Sequence, residues 1–239
     1  MIRKALFFLL VFGATLIWRF PYEQAIRDQV ARLESKTSVQ LDYTPVRASI
    51  RGVEWKDVKV TSSGGVQASF VEAKLVPRWS GLSSNFRQDK GLARMVLSRQ
   101  RQVTVNMQNL EIQSGTKEVG LIRATGDLSH DLTTRKGEGN LRLELPNFKG
   151  PLPILPELVI NVGSKLFWQD KGQGYEMRVE LTMVGGSDFH AEGTLSLEPQ
   201  QGLPHRLNGN LQFRTPLRQG TLRLAGSWKQ PEWTVVPKK

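Results

Sequence analysis

Gly139-Asn140-Leu141-Arg142-Leu143-Glu144-Leu145 decides the fold. Leucine takes every second place, and Asn140, Arg142 and Glu144 fill the places between. Successive side chains of a strand point to opposite faces of a sheet. On a strand this stretch therefore has one leucine face and one polar face. The opening of glycine, a polar residue and leucine returns at Gly126-Asp127-Leu128 and Gly193-Thr194-Leu195-Ser196-Leu197. It returns again at Gly209-Asn210-Leu211-Gln212-Phe213 and Gly220-Thr221-Leu222-Arg223-Leu224. The uneven spacing excludes a strict solenoid repeat. Glycine at each opening permits a turn or a close backbone approach. The expected turns include Lys136-Gly137, Gly172-Gln173-Gly174 and Gly185-Gly186. The pattern predicts an all-β fold of half-apolar antiparallel strands.

The same period of two runs through the earlier sequence. Ala48, Ile50 and Gly52 alternate with Ser49, Arg51 and Val53, and strands follow over Glu54–Val60 and Val66–Val76, with Gly64-Gly65 as a turn. Val103, Val105 and Met107 keep one phase; after Asn109 the phase slips by one, and Leu110 and Ile112 resume. Such a slip is the sequence mark of a β-bulge or of a strand break. Between residues 146 and 156 stand four prolines: Pro146, Pro151, Pro153 and Pro156. Proline supplies no ladder donor, so this stretch reads as a bend or hinge between two halves of the sheet. A short helical turn or an edge strand is expected over Ile154–Val162.

Two segments at the amino end break the β pattern. Ala5–Trp18 is an apolar run of 14 residues, preceded by Arg3 and Lys4. Its membrane-facing residues are Leu6, Phe7, Phe8, Leu9, Leu10, Val11, Phe12, Leu16, Ile17 and Trp18. The run is shorter than the roughly 17–25 residues of a usual span and matches the roughly 7–15 of a secretory signal. No small-x-small pair follows it before Pro21, while Trp18, Arg19, Phe20 and Tyr22 suit an interface. Residues 1–22 therefore read as an uncleaved signal anchor in preference to a cleaved signal, and under either reading the remaining chain is exported. The next segment, 23–37, reads as a short amphipathic helix with Ile26, Val30 and Leu33 on one stripe. It would dock on the β-domain expected over 38–239 or lie near the membrane.

Composition narrows the chemistry. The chain has 239 residues, a net charge of +11 and no cysteine. Zero cysteine removes thiolate metal sites and thiol nucleophiles. The basic balance favours acidic partners such as lipid head groups or lipopolysaccharide, and export argues against nucleic acid. Arg94, Arg99 and Arg101, with Lys74, Arg78, Trp79 and Phe86, read as a solvated rim or one facing lipid head groups. Of the three histidines, only His190 has suggestive neighbours: Asp188, His190 and Glu192 share one strand face. The same alternation arises when Phe189 and Ala191 face a core, so a solvated face is expected. Ser164-Lys165 lacks the setting of an activated nucleophile. No motif calls for a cofactor, a metal or a catalytic residue. Trp55, Trp168, Trp228 and Trp233 read as core or edge-capping residues.

Ala48-Ser49-Ile50-Arg51-Gly52-Val53-Glu54-Trp55-Lys56-Asp57-Val58-Lys59-Val60 and the ending Leu224-Ala225-Gly226-Ser227-Trp228-Lys229-Gln230-Pro231-Glu232-Trp233 also carry a family likeness. With the anchor, helix and Gly–polar–Leu strands in that order, the chain resembles the type II secretion protein N family. More distantly it is similar to AsmA-like envelope proteins. The likeness in order covers nearly the whole chain, with a shorter anchor and the proline interruption as departures. It implies a single-pass inner-membrane protein with its body in the periplasm. It also implies an elongated, curved antiparallel sheet, U-shaped or a half-barrel, with an apolar concave face.

The function expected is non-enzymatic. One form supports a type II secretion apparatus through contacts with envelope proteins of that system. The alternative is an AsmA-like lipid-binding or lipid-transfer groove. Leu141, Leu143, Leu195, Leu197, Leu211, Phe213, Leu222 and Leu224 would line that groove or form a closed core.

Overall fold

The structure, a computed structural model, describes residues 22–36, 39–62, 65–115, 120–146, 160–172, 174–183, 189–200, 203–215, 219–227 and 230–237. The expected anchor, most of the proline-rich segment, Gly185-Gly186, Asp188 and Trp228 lie outside the described residues. Among the described residues, one helix, α1 (Tyr22–Lys36), precedes fourteen strands. They are β1 (Val39–Ser49), β2 (Gly52–Ser62), β3 (Gln67–Arg78), β4 (Gly81–Arg87), β5 (Leu92–Ser98), β6 (Gln102–Gln113) and β7 (Leu121–Asp131). The second half is β8 (Lys136–Leu145), β9 (Ile160–Asp170), β10 (Tyr175–Met183), β11 (His190–Gln200), β12 (Leu203–Arg214), β13 (Gln219–Ser227) and β14 (Gln230–Pro237). All fourteen form one antiparallel sheet in chain order. The fold is all-β. No described helix is long and apolar enough to cross a membrane.

The helix runs antiparallel to β1. Near its carboxyl end, the Glu34 carboxylate accepts a hydrogen bond from Leu41 N at 2.7 Å. Near its amino end, Glu23, Ile26 and Arg27 share a small cleft with Pro45, Arg47, Ala48 and Trp55. The directions agree: from Glu34 back to Glu23 the helix rises about 17 Å, and Leu41 to Pro45–Ala48 spans about 13–23 Å. Ile26 thus lies against the sheet, the first of the two placements expected for its stripe.

The main core gathers Val58, Phe70, Ala73, Ala93, Met107, Leu110 and Ala124, from β2, β3, β5, β6 and β7. A single bridge, Gln67 with Gln113, joins β3 to β6 beyond the neighbour-to-neighbour order. Asn109 is the expected bulge. Its φ is +48°, and between Met107 and Leu110 the β6–β7 register shifts. Thr125 Oγ1 holds it, accepting from Asn109 N at 3.0 Å. The extra residue lets both Met107 and Leu110 face the core. A second slip, at Asp57 (φ +51°), turns both Trp55 and Val58 inward on β2.

Three expectations need correction. Ile50 is not a strand residue: Ser49 pairs with Gly52, and Ile50-Arg51 is the hairpin turn between β1 and β2. Ile160–Val162 opens no edge strand, since β9 pairs with β8 on one side and β10 on the other. Lys136-Gly137 is not a turn. The turn is 132–135, held by the Asp131 carboxylate, which accepts from Thr133 N at 2.7 Å and Thr134 N at 3.1 Å. Those two backbone bonds keep the Asp131 carboxyl below its ordinary pKa.

Gly137 lies inside β8, between His130 and Trp168 in register. A Cβ there would stand 2.1 Å from the Trp168 ring. Its absence lets the indole lie across β8, with its N–H donating to His130 Nδ1 at 3.1 Å and the rings stacked 12° apart. Gly137→Ala is expected to cost about 2 kcal/mol by overpacking. In a Trp168→Ala background the same change should cost under about 0.5 kcal/mol, because the clashing ring is gone. A double-mutant cycle on denaturation midpoints reads this coupling, and equal costs in both backgrounds would refute the role assigned to Gly137.

Candidate functional site: an apolar sheet face

Four of the five Gly–polar–Leu stretches lie within strands rather than opening them, and these four meet in pairs; the fifth, at Gly220, does open its strand, β13. In β7–β8, Gly126 faces Leu141 and Leu128 faces Gly139. In β11–β12, Gly193 faces Leu211 and Leu195 faces Gly209. The two hairpins repeat one packing unit. A Cβ on Gly139 would meet Leu128 Cδ2 at 2.3 Å, and one on Gly209 would meet Leu195 Cδ2 at the same distance. Each leucine therefore leans over the glycine of the opposite strand, a cross-strand fit that needs no second layer.

Register then places all eight expected lining residues on one face. Leu141 pairs with Ser164, Leu143 with Val162, Leu211 with Leu222, and Phe213 with Ala191 and Gly220. Leu224 pairs with Gly209, and Leu197 with Leu207. Their burial differs. Leu211 and Phe213 are only 5% and 6% exposed, while Leu195, Leu197, Leu222 and Leu224 are half-buried. Leu141 and Leu143 are half-buried and pack against the main core.

The face is wider than those eight residues. β9 adds Val162, Leu166 and Trp168, and β10 adds Met177, Val179 and Leu181, joined by register to β8 and β11. Their own period of two was the signal that could have found them. From β8 to β13 the face spans about 24 Å across the strands, and about 20 Å along β12 from Leu207 to Phe213. Its one described acid, Asp170, stands at the strand end and accepts from Gly172 N at 2.6 Å.

The opposite face is solvated. Lys74 bonds Glu72 at 2.5 Å and lies 3.6 Å from Glu54, with Arg87 also 3.6 Å from Glu72. The Lys74 bond lowers the Glu72 pKa, and the Glu72 bond raises that of Lys74. Such exposed pairs contribute little to stability. His190 and Glu192 sit here 3.9 Å apart, both about half exposed, with Ala191 buried between them. No group of His, Asp and Glu suited to a metal occurs among the described residues. Ser164 and Lys165 point to opposite faces; the Ser164 hydroxyl donates to Leu141 O at 3.2 Å, and Lys165 is exposed. The pair cannot act as nucleophile and base.

Comparison with family models, with curated proteins and with solved structures returns no match to this chain.

Proposed function

We propose that the chain is a membrane-anchored envelope protein whose β8–β13 face, curved as a half-barrel trough, holds the acyl chains of a lipid. The observation that carries this is the continuous, mainly apolar face, whose one described acid stands at a strand end and whose Leu195, Leu197, Leu222 and Leu224 are only half-buried. Contiguous apolar side chains left partly exposed mark an interaction site. A lipid tail spans half of the roughly 30 Å hydrocarbon core of a bilayer, which fits the length of this face. Mainly apolar side chains, with the Ser164 hydroxyl and the Trp168 N–H already engaged within the protein, suit a tail, whose burial releases about 0.8 kcal/mol per methylene. The apolar run Ala5–Trp18 would anchor the protein in the inner membrane with the sheet in the periplasm, and the role is binding rather than catalysis. Support of a type II secretion apparatus, drawn from the sequence resemblance, is the reading against which this one is tested.

Photo-crosslinking in cells discriminates them. A benzoylphenylalanine at Leu197, half-buried on the apolar face, is expected to give lipid adducts. The same group at Thr194, exposed on the polar face, is expected to give none. Protein adducts from Leu197 would favour the secretion reading, and equal lipid labelling from both positions would overturn the groove.

A further inference from the structure

Strand direction sorts the hairpin turns to two ends of the sheet. One end carries the β1–β2 turn at Ile50-Arg51, the β3–β4 turn at Trp79-Ser80, the β5–β6 turn at 99–101 and the β7–β8 turn at 132–135. The last three of these turns are tied to one another. Arg99 N donates to Ser80 O, Leu132 N to Arg101 O, and Asp170 N to Arg135 O, each at 2.9 Å. The tips form one continuous rim rather than separate loops.

Three of the largest exposed apolar side chains sit on this rim: Trp79 (89% exposed), Ile50 (58%) and Leu132 (46%). Arg78, Arg99, Arg101 and Arg135 stand beside them, all exposed. None of the four forms an ion pair among the described residues. The nearby carboxylates are engaged, Asp131 by its turn amides and Asp170 by Gly172 N. At the opposite end, the described β4–β5 turn instead carries one acid next to one base, Asp89 and Lys90. The antiparallel helix adds an independent bearing. The amino end of α1 lies beside Arg47 and Ala48, at the rim end of β1, and the apolar run Ala5–Trp18 precedes it in sequence.

We propose that this rim rests on an anionic phospholipid surface, with Trp79, Ile50 and Leu132 entering the interface and Arg78, Arg99, Arg101 and Arg135 meeting the phosphates. Tryptophan is suited to the headgroup level because its ring is apolar and its N–H polar. Arginine there is drawn by the negative surface potential, about fivefold in partitioning per residue. The sheet would then stand on the membrane end-on. This placement is independent of whether the apolar face holds lipid.

The absence of cysteine makes a direct test available, because an introduced thiol is unique. Full-length Trp79→Cys, Leu132→Cys and Asp89→Cys are each labelled with an environment-sensitive fluorophore and reconstituted into vesicles of phosphatidylglycerol and phosphatidylcholine. Two rim positions are used so that a folding defect in one leaves the other readable. Labels at 79 and 132 are expected to be quenched by a headgroup-borne quencher several-fold more than the label at 89. Charge reversal by Arg78→Glu, Arg99→Glu and Arg101→Glu, or replacement of the phosphatidylglycerol by phosphatidylcholine, is expected to erase most of the difference. Equal quenching at the two ends overturns the proposal, and so does rim contact that persists unchanged in neutral lipid. Rim labels that stay as wet as the label at 89 also overturn it, and would point to a protein partner for these tips.

Discussion

The double substitution Leu197→Asp, Leu222→Asp empties the apolar face of lipid while leaving the sheet paired. Both leucines are half-buried, so an aspartate at either place can reach water in the lipid-free protein. Leu211 and Phe213, at 5% and 6% exposure, are avoided because a charge there would go unhydrated even without ligand. With a tail in place, each carboxylate faces hydrocarbon at a cost of about 2.5–3.5 kcal/mol on insertion scales. Two of them oppose binding by about 5–7 kcal/mol, a loss in affinity of more than a thousandfold. Mass spectrometry of lipid extracted from the purified full chain reads the result, with circular dichroism as the check on folding. Lipid retained at wild-type stoichiometry by a folded double variant would falsify the acyl-chain reading.

The second large effect is on stability. Gly193→Ala and Gly126→Ala each place a Cβ 2.0 Å from a carbonyl oxygen of the paired strand, Asn210 O and Asn140 O respectively. The obstacle is backbone within a continuous ladder, so no side-chain rotation relieves it. Gly126 adds a φ of +147°, which L residues rarely adopt. A loss of about 2–3 kcal/mol is expected for each. Gly172→Ala is the reference. Its φ is also positive, +83°, but its Cβ would meet only the Arg135 guanidinium at 3.8 Å, so about 1 kcal/mol is expected. Urea midpoints compare the three, and indistinguishable losses would sink the claim that strand approach, rather than φ alone, requires glycine.

Much of this architecture was legible in the residues. The alternation over Gly139–Leu145 marks a strand and assigns its two faces, because side-chain direction along a strand depends only on parity. The same local logic exposed the bulge at Asn109, where the apolar phase slips by one, and the helix with its Ile26 stripe. Turn placement was less secure. Gly137 looked like a turn residue, but its φ is not what requires glycine; the Trp168 ring 31 positions later is. Ile50 continued an alternation that the chain abandons at the hairpin with Gly52.

What the sequence by itself determined is which residues share a face of their own strand, and that the body is all-β. Only the tertiary structure decided that the faces of β8, β11, β12 and β13 join into one surface through β9 and β10. It also decided that α1 runs back along β1, and that Trp79, Leu132 and Ile50 gather at one end. The physical reason is range. Parity is set by covalent geometry from one residue to the next. Register, strand neighbours and the meeting of distant turns are set by hydrogen bonds and packing between segments whose separation in sequence carries no trace of their contact.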